Sequence, residues 1–474
     1  MSADPNDPFR GLQSKRPRLM ADAAAIERVK KAVEGSPSGE NLKAKIIHKA
    51  KKALLQDPPK WEEGDLREVG KDALKRLQSL GLAWMLENDE PRYVERARRE
   101  LDAICGFSEW NPAYFLGTAM LTHAAAIGYD WFHDRLSQAE RQKYAAAIIE
   151  KGLRPGFAQL IGTPKPAWPT QTTNWNIVCN AGLMIGALAL GDEAGLASGD
   201  EEGKWLRRVF LRCLNSVPTG LRGYSPDGSW DEGPGYWAYS TEHVAYLCSA
   251  LQTALGHEFG LGDLPGLLNT GFFRMHAEGS AVADGSMAGK LFNFSDCEET
   301  HSGSWCMRWL YWRYGERVYN WVALADNQEA PMDLLWFSPD KPDGTTGIPR
   351  NARFRGNANV AMLRGGWGDK SVGFRPWARE HTSDVYVGIR AGINSREDPH
   401  GHLDLGSFVL DALQVRWAVD IPPVSGSVDY PSDYLLPGYF DIDLERRFRY
   451  YRTSTIGHNT LAIDGFNQPL GART

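Results

Sequence analysis

The feature that most constrains the fold of this chain is a change in hydrophobic period near residue 345. From about Ala23 to Phe337, apolar residues recur at helical spacing in segments such as "NLKAKIIHKAKKALL" and "YFLGTAMLTHAAAIGYDWF". Short connections such as "DPPK" and "SEWNP" separate these segments. Helices joined by short connections pair antiparallel, so the sequence predicts an array of helical hairpins.

Beyond the Pro- and Gly-rich stretch 338–351, the apolar pattern alternates with period two. The predicted strands are "NVAMLRGGW", "KSVGFRPW", "DVYVGIRAG", "SFVLDALQVRWAVDI" and "STIGHNTLAID", all rich in β-branched and aromatic residues. The prediction is therefore a multidomain α + β chain with an N-terminal extension (1–20), a helical domain (21–340) and an antiparallel β-sandwich (345–474). The chain stops soon after the last predicted strand, so we expect this sandwich to be incomplete.

Charge and cysteine content exclude several classes of function. The net charge of −6 provides no basic field for nucleic acid, and no apolar run reaches the length of a membrane span, so we expect neither partner. The six cysteines are widely spaced without a CxxC pair, which argues against a disulfide framework. The N-terminus has no continuous apolar segment and hence no visible signal peptide.

The segment "DPHGHLDLGSF" places two histidines one residue apart where a strand is predicted to start. Alternate residues of a strand share a face, so His400 and His402 are expected to point the same way. His402, Asp420 and His458 lie on three candidate strands, and two imidazoles with one carboxylate suit zinc. Structural hydrogen bonding near strand ends is the alternative interpretation of each residue. Arg396 is a candidate carboxylate clamp or, alternatively, a solvated loop arginine.

Two stretches of the helical half carry candidate sugar contacts. In "QTTNWNIVCNAGLM", Asn174 and Asn176 flank Trp175 just before an apolar helix, so they either cap that helix or form the lip of a sugar site. In "DEGPGYWAYSTEH", Tyr236 and Tyr239 are neighbours on a predicted helix. Tyr236 lies at the helix start, where the positive end of the helix dipole favours a phenolate.

The segments "TNWNIVCNAGLM", "PDGSWDEGPGYWAYSTEH", "HGHLDLGSFVLDALQVRWAVDI", "LPGYFD" and "YYRTSTIGHNTL" together resemble the heparinase II/III-like polysaccharide lyases, whose relatives include oligoalginate lyases. The resemblance covers nearly the whole chain in order. It implies an (α/α) toroid followed by a β-sandwich, and β-elimination at a uronic acid to leave a C4=C5 double bond. Many members carry a histidine in the Asn segment, whereas "NWN" has none.

The resemblance also implies roles for individual residues. Asn174 or Asn176 would hold the substrate carboxylate. Tyr236, chosen over Tyr239 and Tyr224 for its place after "EGPG", would protonate the leaving oxygen and would also be the base if both protons lie on one face of the sugar. His400 would act as base or as second carboxylate partner. A structural Zn²⁺ is implied at the three metal candidates. Further substrate contacts are expected from four side chains: Trp175, Glu232, Tyr239 and Arg396. The implied partner is an anionic polysaccharide or oligosaccharide, and a homodimer is compatible with the resemblance. The implied location is periplasmic or secreted, with a cytoplasmic location as the alternative because no signal peptide is visible.

Two other functions stay open from the sequence. A toroid glycoside hydrolase would need two carboxylates at a fixed separation, which Asp227 together with Glu232 or Asp231 could supply. A non-catalytic glycan-binding protein would keep the aromatic residues without turnover. Neither alternative accounts for the joint occurrence of Tyr236, His400 and the distant His/Asp/His set.

Overall fold

The computed structural model describes residues 7–62, 66–87, 90–162, 168–193, 195–196, 199–282, 289–300, 305–326, 329–340, 344–367, 385–396, 398–424, 432–443 and 445–474. The chain forms two compact units, each assembled from separate stretches of sequence. The first unit comprises Met1–Leu221, Glu242–Gly262 and Glu329–Asp340. The second comprises Arg222–Thr241, Asp263–Gln328 and Lys341–Thr474.

The first unit is helical, as the apolar spacing predicts. Its helices are α1 (Ala23–Val33), α2 (Pro37–Leu54), α3 (Leu66–Leu86), α4 (Pro91–Gly106), α5 (Phe115–Trp131), α6 (Gln138–Ala147), α7 (Arg154–Ile161), α8 (Asn174–Leu190) and α9 (Glu201–Leu221). Among the helices in the described part of the chain, none combines the length and apolar character that crossing a membrane requires.

Helices α5 and α8 form the centre of this unit. Every residue of α5 is buried, as is every residue of α8 except Trp175. A helix that is apolar on all sides must be enclosed by other helices. The absence of a side chain at Gly70 lets α3 approach α5 closely, since an added Cβ would lie 2.8 Å from the Cβ of Met120.

The described part of the predicted N-terminal extension packs into the same unit. Arg16 Nη1 lies 3.0 Å from Oδ1 of Asp130 on α5, and Arg18 donates its backbone N–H to the same carboxylate. The Phe9 ring contacts Phe210 edge-on at a centroid distance of 5.1 Å. All six cysteines of the chain are buried and free.

The second unit combines short helices with two antiparallel sheets. Helix α10 (Gly233–Leu255) starts in this unit and ends in the first. The other elements after α10 are α11 (Thr270–Ala277), β1 (Glu278–Val282), β2 (Gly289–Leu291), α12 (Cys306–Tyr314), α13 (Arg317–Asp326), α14 (Pro331–Leu335, in the first unit), β3 (Ala352–Phe354), β4 (Ala358–Arg364), β5 (Tyr386–Gly392), β6 (Phe408–Ala412) and β7 (Val415–Ala418).

Strands β3 to β7 form one antiparallel sheet in sequence order. Burial alternates along β4 and β5, so one face of the sheet is enclosed and the predicted period of two is confirmed there. The enclosed face carries a buried ion pair, in which Arg416 Nε lies 2.7 Å from Asp411 Oδ1. The same carboxylate accepts hydrogen bonds from the backbone N–H groups of Ser280 and Ala281 in β1, which ties the two sheets together.

Three predicted strands differ from the structure or lie outside it. "SFVLDALQVRWAVDI" is a hairpin of β6 and β7 rather than one strand, because Leu413 and Gln414 turn the chain with φ values of 55° and 63°. "STIGHNTLAID" forms a short 3-10 turn and bends. "KSVGFRPW" lies outside the described residues. The structure confirms a helix-rich N-terminal region and a C-terminal antiparallel sheet, while the toroid and the sandwich stay predictions.

Candidate active site and candidate metal centre

The rings of Tyr236 and His400 stack in the second unit, with centroids 3.8 Å apart and planes 22° from parallel. Tyr236 lies in the first turn of α10, as its sequence position predicts. Gly233 permits this placement, because its φ is 85° and an added Cβ would lie 2.5 Å from the carbonyl oxygen of Phe294. The Tyr236 hydroxyl donates to the Tyr434 hydroxyl at 3.2 Å.

His400 and His402 do not lie on a strand, because residues 398–407 form turns and bends and β6 begins only at Phe408. Their side chains nevertheless meet, since both contact the carboxylate of Asp296. His400 Nδ1 lies 3.0 Å from Oδ2, and His402 Nε2 lies 3.0 Å from Oδ1. The predicted strand is therefore wrong here, and the two imidazoles come together because both bind one buried carboxylate.

Asp296 is the centre of a buried polar cluster. Besides the two histidines, it accepts hydrogen bonds from Tyr439 Oη at 2.7 Å, Arg447 Nη2 at 2.9 Å and Arg452 Nη2 at 2.5 Å. Burial opposes the charged carboxylate, but Arg447 and the two histidine contacts outweigh burial and hold the pKa of Asp296 well below its usual range. Asp296 is therefore ionised and acts only as an acceptor.

The ionised Asp296 fixes the tautomers of both histidines. An acceptor-only carboxylate requires a proton on Nδ1 of His400 and on Nε2 of His402. Burial lowers the pKa of His400 more than Asp296 raises it, so the ring is neutral and its Nε2 carries a lone pair. In His402 the lone pair is on Nδ1, which is buried without a hydrogen-bond partner in the described structure.

Tyr236 is a protonated phenol rather than a phenolate. Burial raises its pKa well above the ordinary value, and Tyr434 and Asp296 add to the shift. The helix dipole was expected to favour the phenolate, but burial and the nearby Asp296 charge outweigh it. A buried phenol can donate its proton to a leaving oxygen.

Glu232 lies beside this pair and is 2% exposed. Its Oε1 is 3.8 Å from His400 Nε2, and its Oε2 accepts a hydrogen bond from Trp230 Nε1. Asp227 and Asp231, the other two carboxylates considered for the hydrolase alternative, stabilise the β3–β4 turn by hydrogen bonds. Asp227 accepts from the backbone N–H and Nε of Arg355, and Asp231 accepts from Ala358 and Asn357.

A candidate metal centre lies around His402, which also contacts Asp296. Potential ligand atoms of His402, Asp404 and His458 all lie within 4.8 Å of one another, and all three residues are buried. His402 Nδ1 and His458 Nε2 have no hydrogen-bond partner among the described residues, and the only contact of this kind at the Asp404 carboxylate there is the ion pair of Oδ1 with Arg390. Two imidazole nitrogens and one carboxylate form a donor set that suits zinc.

The residues that meet at this candidate centre include Asp404, whereas the sequence predicted Asp420. Both Asp420 oxygens face Nδ1 of His458, at 3.1 and 3.2 Å, so Asp420 orients that ring and leaves its Nε2 for a ligand. Although burial opposes the charge of His458, Asp420 raises its pKa. Asp404 Oδ1 also lies 2.6 Å from Nη1 of Arg390 on β5, which partly neutralises its charge.

The asparagine segment belongs to the first unit, at the start of α8. The helix begins at Asn174 and its N-cap is Thr173, so neither asparagine caps it. The Asn176 side chain is buried and holds the scaffold, because Nδ2 donates to the carbonyl oxygens of Trp168 and Pro169 and Oδ1 accepts from Gly220. Trp175 is half-buried and contacts the Tyr114 ring edge-on.

The remaining sequence candidates occupy different environments. The hydroxyl of Tyr224, another tyrosine considered from the sequence, is buried against Thr241 Oγ1 at 2.8 Å. Tyr239 is half-buried on α10. Arg396 does not accompany His400 but lines a separate cavity with Arg449.

Sequence reasoning missed Asp296 and Asp404. Asp404 follows His402 by two residues in "HGHLD", so the alternation that paired the two histidines also pointed to it. Asp296 lies in "NFSDCEE", more than 100 residues before both histidines, and no local pattern connects them.

No protein-family model matches the chain, and the search of curated proteins finds no match either. Three similar solved structures are a heparan sulfate lyase HepC mutant from Pedobacter heparinus, a heparinase III, and a chondroitin AC lyase from Streptomyces coelicolor A3 in complex with chondroitin sulphate. Their identities to this chain are 13%, 13% and 14%, and their TM-scores are 0.48, 0.49 and 0.47.

The matches cover 96%, 98% and 83% of this chain and 70%, 71% and 58% of the respective neighbours. None of the three TM-scores reaches 0.5, so these likenesses carry no conclusion about function.

Proposed function

We propose that the chain is a polysaccharide lyase that cleaves a uronic-acid-containing glycan by β-elimination. The observation that carries the proposal is the stacked pair of Tyr236 and His400, in which one ring is a protonated phenol and the other a neutral imidazole held by Asp296. An acid and a base that lie side by side suit a reaction that removes one proton and delivers another.

In this proposal His400 is the base. Its Nε2 lone pair takes the C5 proton of the uronate, and the ring cannot turn because Nδ1 donates to Asp296. The ionised Asp296 also stabilises the imidazolium that forms when Nε2 gains the proton. Asp296 does not touch the substrate and is therefore a positioning residue.

Tyr236 is the acid in the same proposal. The electron pair of the C5–H bond becomes the C4=C5 double bond, the C4–O4 bond breaks, and the Tyr236 proton goes to O4. Return of the proton from His400 to Tyr236 through solvent regenerates the starting state. The raised pKa of Tyr236 suits this role, since a phenolate could not protonate a leaving oxygen.

Removal of the C5 proton builds charge on the uronate carboxylate, which the enzyme must stabilise. Arg447 and Arg452 do not provide a free positive charge, because Asp296 and Asp433 accept their ion pairs. The sequence resemblance proposes Asn174 or Asn176 as the carboxylate partner, and the Asn176 side chain donates to two backbone carbonyls of the first unit. Trp175, Tyr239 and the buried Glu232 are proposed to contact the sugar.

We also propose a structural Zn²⁺ held by His402, Asp404 and His458. When bound, the ion would cross-link the loop of His402 and Asp404 to the segment around His458. Asp296 and Asp420 orient the two imidazoles from behind. Asp296 thus contacts both the proposed base and a proposed metal ligand. The toroid and sandwich architecture stays part of this proposal.

The test is ultraviolet absorbance from a new C4=C5 double bond during incubation with heparan sulfate, chondroitin, hyaluronan, alginate and ulvan. We expect a rise with at least one substrate and a loss of that rise in Tyr236→Phe. New reducing ends without absorbance would favour the hydrolase alternative, in which Glu232 supplies a carboxylate. If the wild-type protein binds a glycan without forming any product, and Tyr236→Phe binds it equally well, a glycan-binding protein is favoured.

A further inference from the structure

We propose that the second unit contains an accessory site for an acidic saccharide, separate from the cleavage centre and built around Arg396 and Arg449. The glycan nature of the ligand rests on the proposed function. The two guanidinium groups would bind a sulfate or carboxylate group, and the cavity between them would hold the sugar ring.

The site is a cavity of about 460 Å³. This volume falls within the range of pockets that bind small molecules. Tyr236, Asp296 and His400 are not among its lining residues, so the cavity is distinct from the acid–base pair. Its floor is apolar, because Leu403, Phe448 and Leu470 belong to one hydrophobic cluster. An apolar floor beside charged groups suits a sugar ring that carries an acidic substituent.

The charged groups of the cavity are available to a ligand. Arg396 and Arg449 are exposed, and neither forms an ion pair in the described part of the chain. An arginine fork matches the oxygen geometry of sulfate and carboxylate. Glu445 also lines the cavity and can accept hydrogen bonds from sugar hydroxyls.

The two amide side chains of the cavity wall are fixed by the protein. Asn467 accepts from the backbone N–H of Thr455 at 3.0 Å, and Gln468 accepts from that of Leu405 at 2.9 Å. Gln468 Nε2 also donates to the Leu405 carbonyl at 2.9 Å. The wall is therefore preorganised, and the arginines are the recognition elements that a ligand would engage.

The cavity shares its framework with the catalytic cluster. In the 3-10 turn Arg447–Arg449, Arg447 binds Asp296, Phe448 enters the apolar floor and Arg449 lines the cavity. Leu403 likewise lines the cavity directly after His402, which binds Asp296. The accessory site therefore lies on the same two segments that hold the proposed base in place.

Isothermal titration calorimetry tests the proposal, in the Tyr236→Phe background so that the probe is not consumed. The probes are a heparan sulfate tetrasaccharide and an unsulfated hyaluronan tetrasaccharide. We expect two binding events per chain, with one lost in Arg396→Ala/Arg449→Ala through a weakening of about tenfold or more per arginine. Arg446→Ala is the matched control, because Arg446 pairs with Asp441 at 3.2 Å outside the cavity.

If the double variant loses one binding event with the sulfated probe alone, the site binds sulfate. If it loses one binding event with both probes, the site binds carboxylate. The proposal is overturned if the Tyr236→Phe protein shows a single binding event that the Arg396→Ala/Arg449→Ala variant keeps. It is also overturned if Arg446→Ala removes the same binding event as the double variant. A single event that the double variant abolishes supports the accessory site while counting against the proposed cleavage centre, so the two failures are distinguishable.

Discussion

The Nδ1 atom of His400 lies 3.0 Å from Oδ2 of Asp296, although 104 residues separate them in the chain. Because Asp296 is ionised and buried, this contact fixes which imidazole nitrogen carries a proton and which one faces a substrate. The contact thereby leaves a lone pair on Nε2 of the neutral His400, beside the protonated Tyr236, as the proposed base requires.

Asp296→Asn should lower kcat by at least about 100-fold with little change in KM, because the base would lose its fixed orientation. It should also reduce the free energy of unfolding by about 3–5 kcal/mol, since Arg447 and Arg452 would lose their buried counter-charge. Steady-state kinetics and urea unfolding measure the two effects.

The matched control for this variant is Asp441→Asn, which removes the surface partner of the half-exposed Arg446. It should cost about 0–1 kcal/mol and leave kcat unchanged. If Asp296→Asn behaved like this control, the central role of the buried carboxylate would be wrong.

Tyr236→Phe should reduce the rate by about 10²- to 10⁴-fold while the protein remains folded, because the phenol proton is lost and the ring is kept. Tyr224→Phe removes a hydroxyl from a neighbouring tyrosine that is buried against Thr241. This control should lose about 1 kcal/mol of stability and keep its activity. Equal activity in the two variants would remove Tyr236 from the mechanism.

Asp398 should make stability depend on pH. Burial and the charge of Asp231 raise the pKa of Asp398 to about 7 in the folded state, against about 3.9 in an unfolded chain. The folded state therefore holds a proton that the unfolded state releases. The free energy of unfolding should fall as pH rises from about 4 to 7, by at most about 1.4 kcal/mol per pH unit.

Urea unfolding at several pH values, with Asp398→Asn as the comparison, measures this dependence. The variant cannot ionise, so its unfolding free energy should lack that decline. Asp398 Oδ1 accepts the backbone N–H of His400 at 2.9 Å, and the asparagine oxygen can keep this bond. Parallel pH profiles for both proteins would show that Asp398 does not titrate in this range.

Metal analysis of the purified protein should find about one zinc per chain and none in His402→Ala. Asp404→Ala should also abolish binding, whereas Asp420→Asn should weaken it by about 10- to 100-fold, because Asp420 orients His458 rather than binding the ion. The reverse order of the two aspartate variants would restore Asp420 as the ligand. Equal, near-zero metal in wild type and His402→Ala would exclude the site.

The sequence predicted those parts of the fold that depend on local periodicity. Strands β4 and β5 follow the period of two, and the helices of the first unit follow the helical spacing. The β6–β7 hairpin was missed because its turn residues, Leu413 and Gln414, carry no Gly, Asn or Asp signal. "STIGHNTLAID" was misread because short apolar runs do not distinguish strands from turns packed on a core.

The site was predictable where its residues cluster in sequence and not where they meet through tertiary structure. The position of Tyr236 at a helix start was predicted from "EGPG", whereas His400 and His402 were assigned to a strand that the structure does not form. Asp296 depends on contacts with histidines more than 100 residues away, which no pattern in one sequence reveals. Arg396 was assigned to the surroundings of His400 by proximity in sequence, whereas it lines another cavity.

The most direct test of the central claim follows ultraviolet absorbance and new reducing ends together, with the wild-type protein and the uronate glycan that it cleaves. β-Elimination at Tyr236 and His400 predicts one C4=C5 chromophore for every new reducing end, and a loss of both signals in Tyr236→Phe. New reducing ends that form without the chromophore would contradict the account.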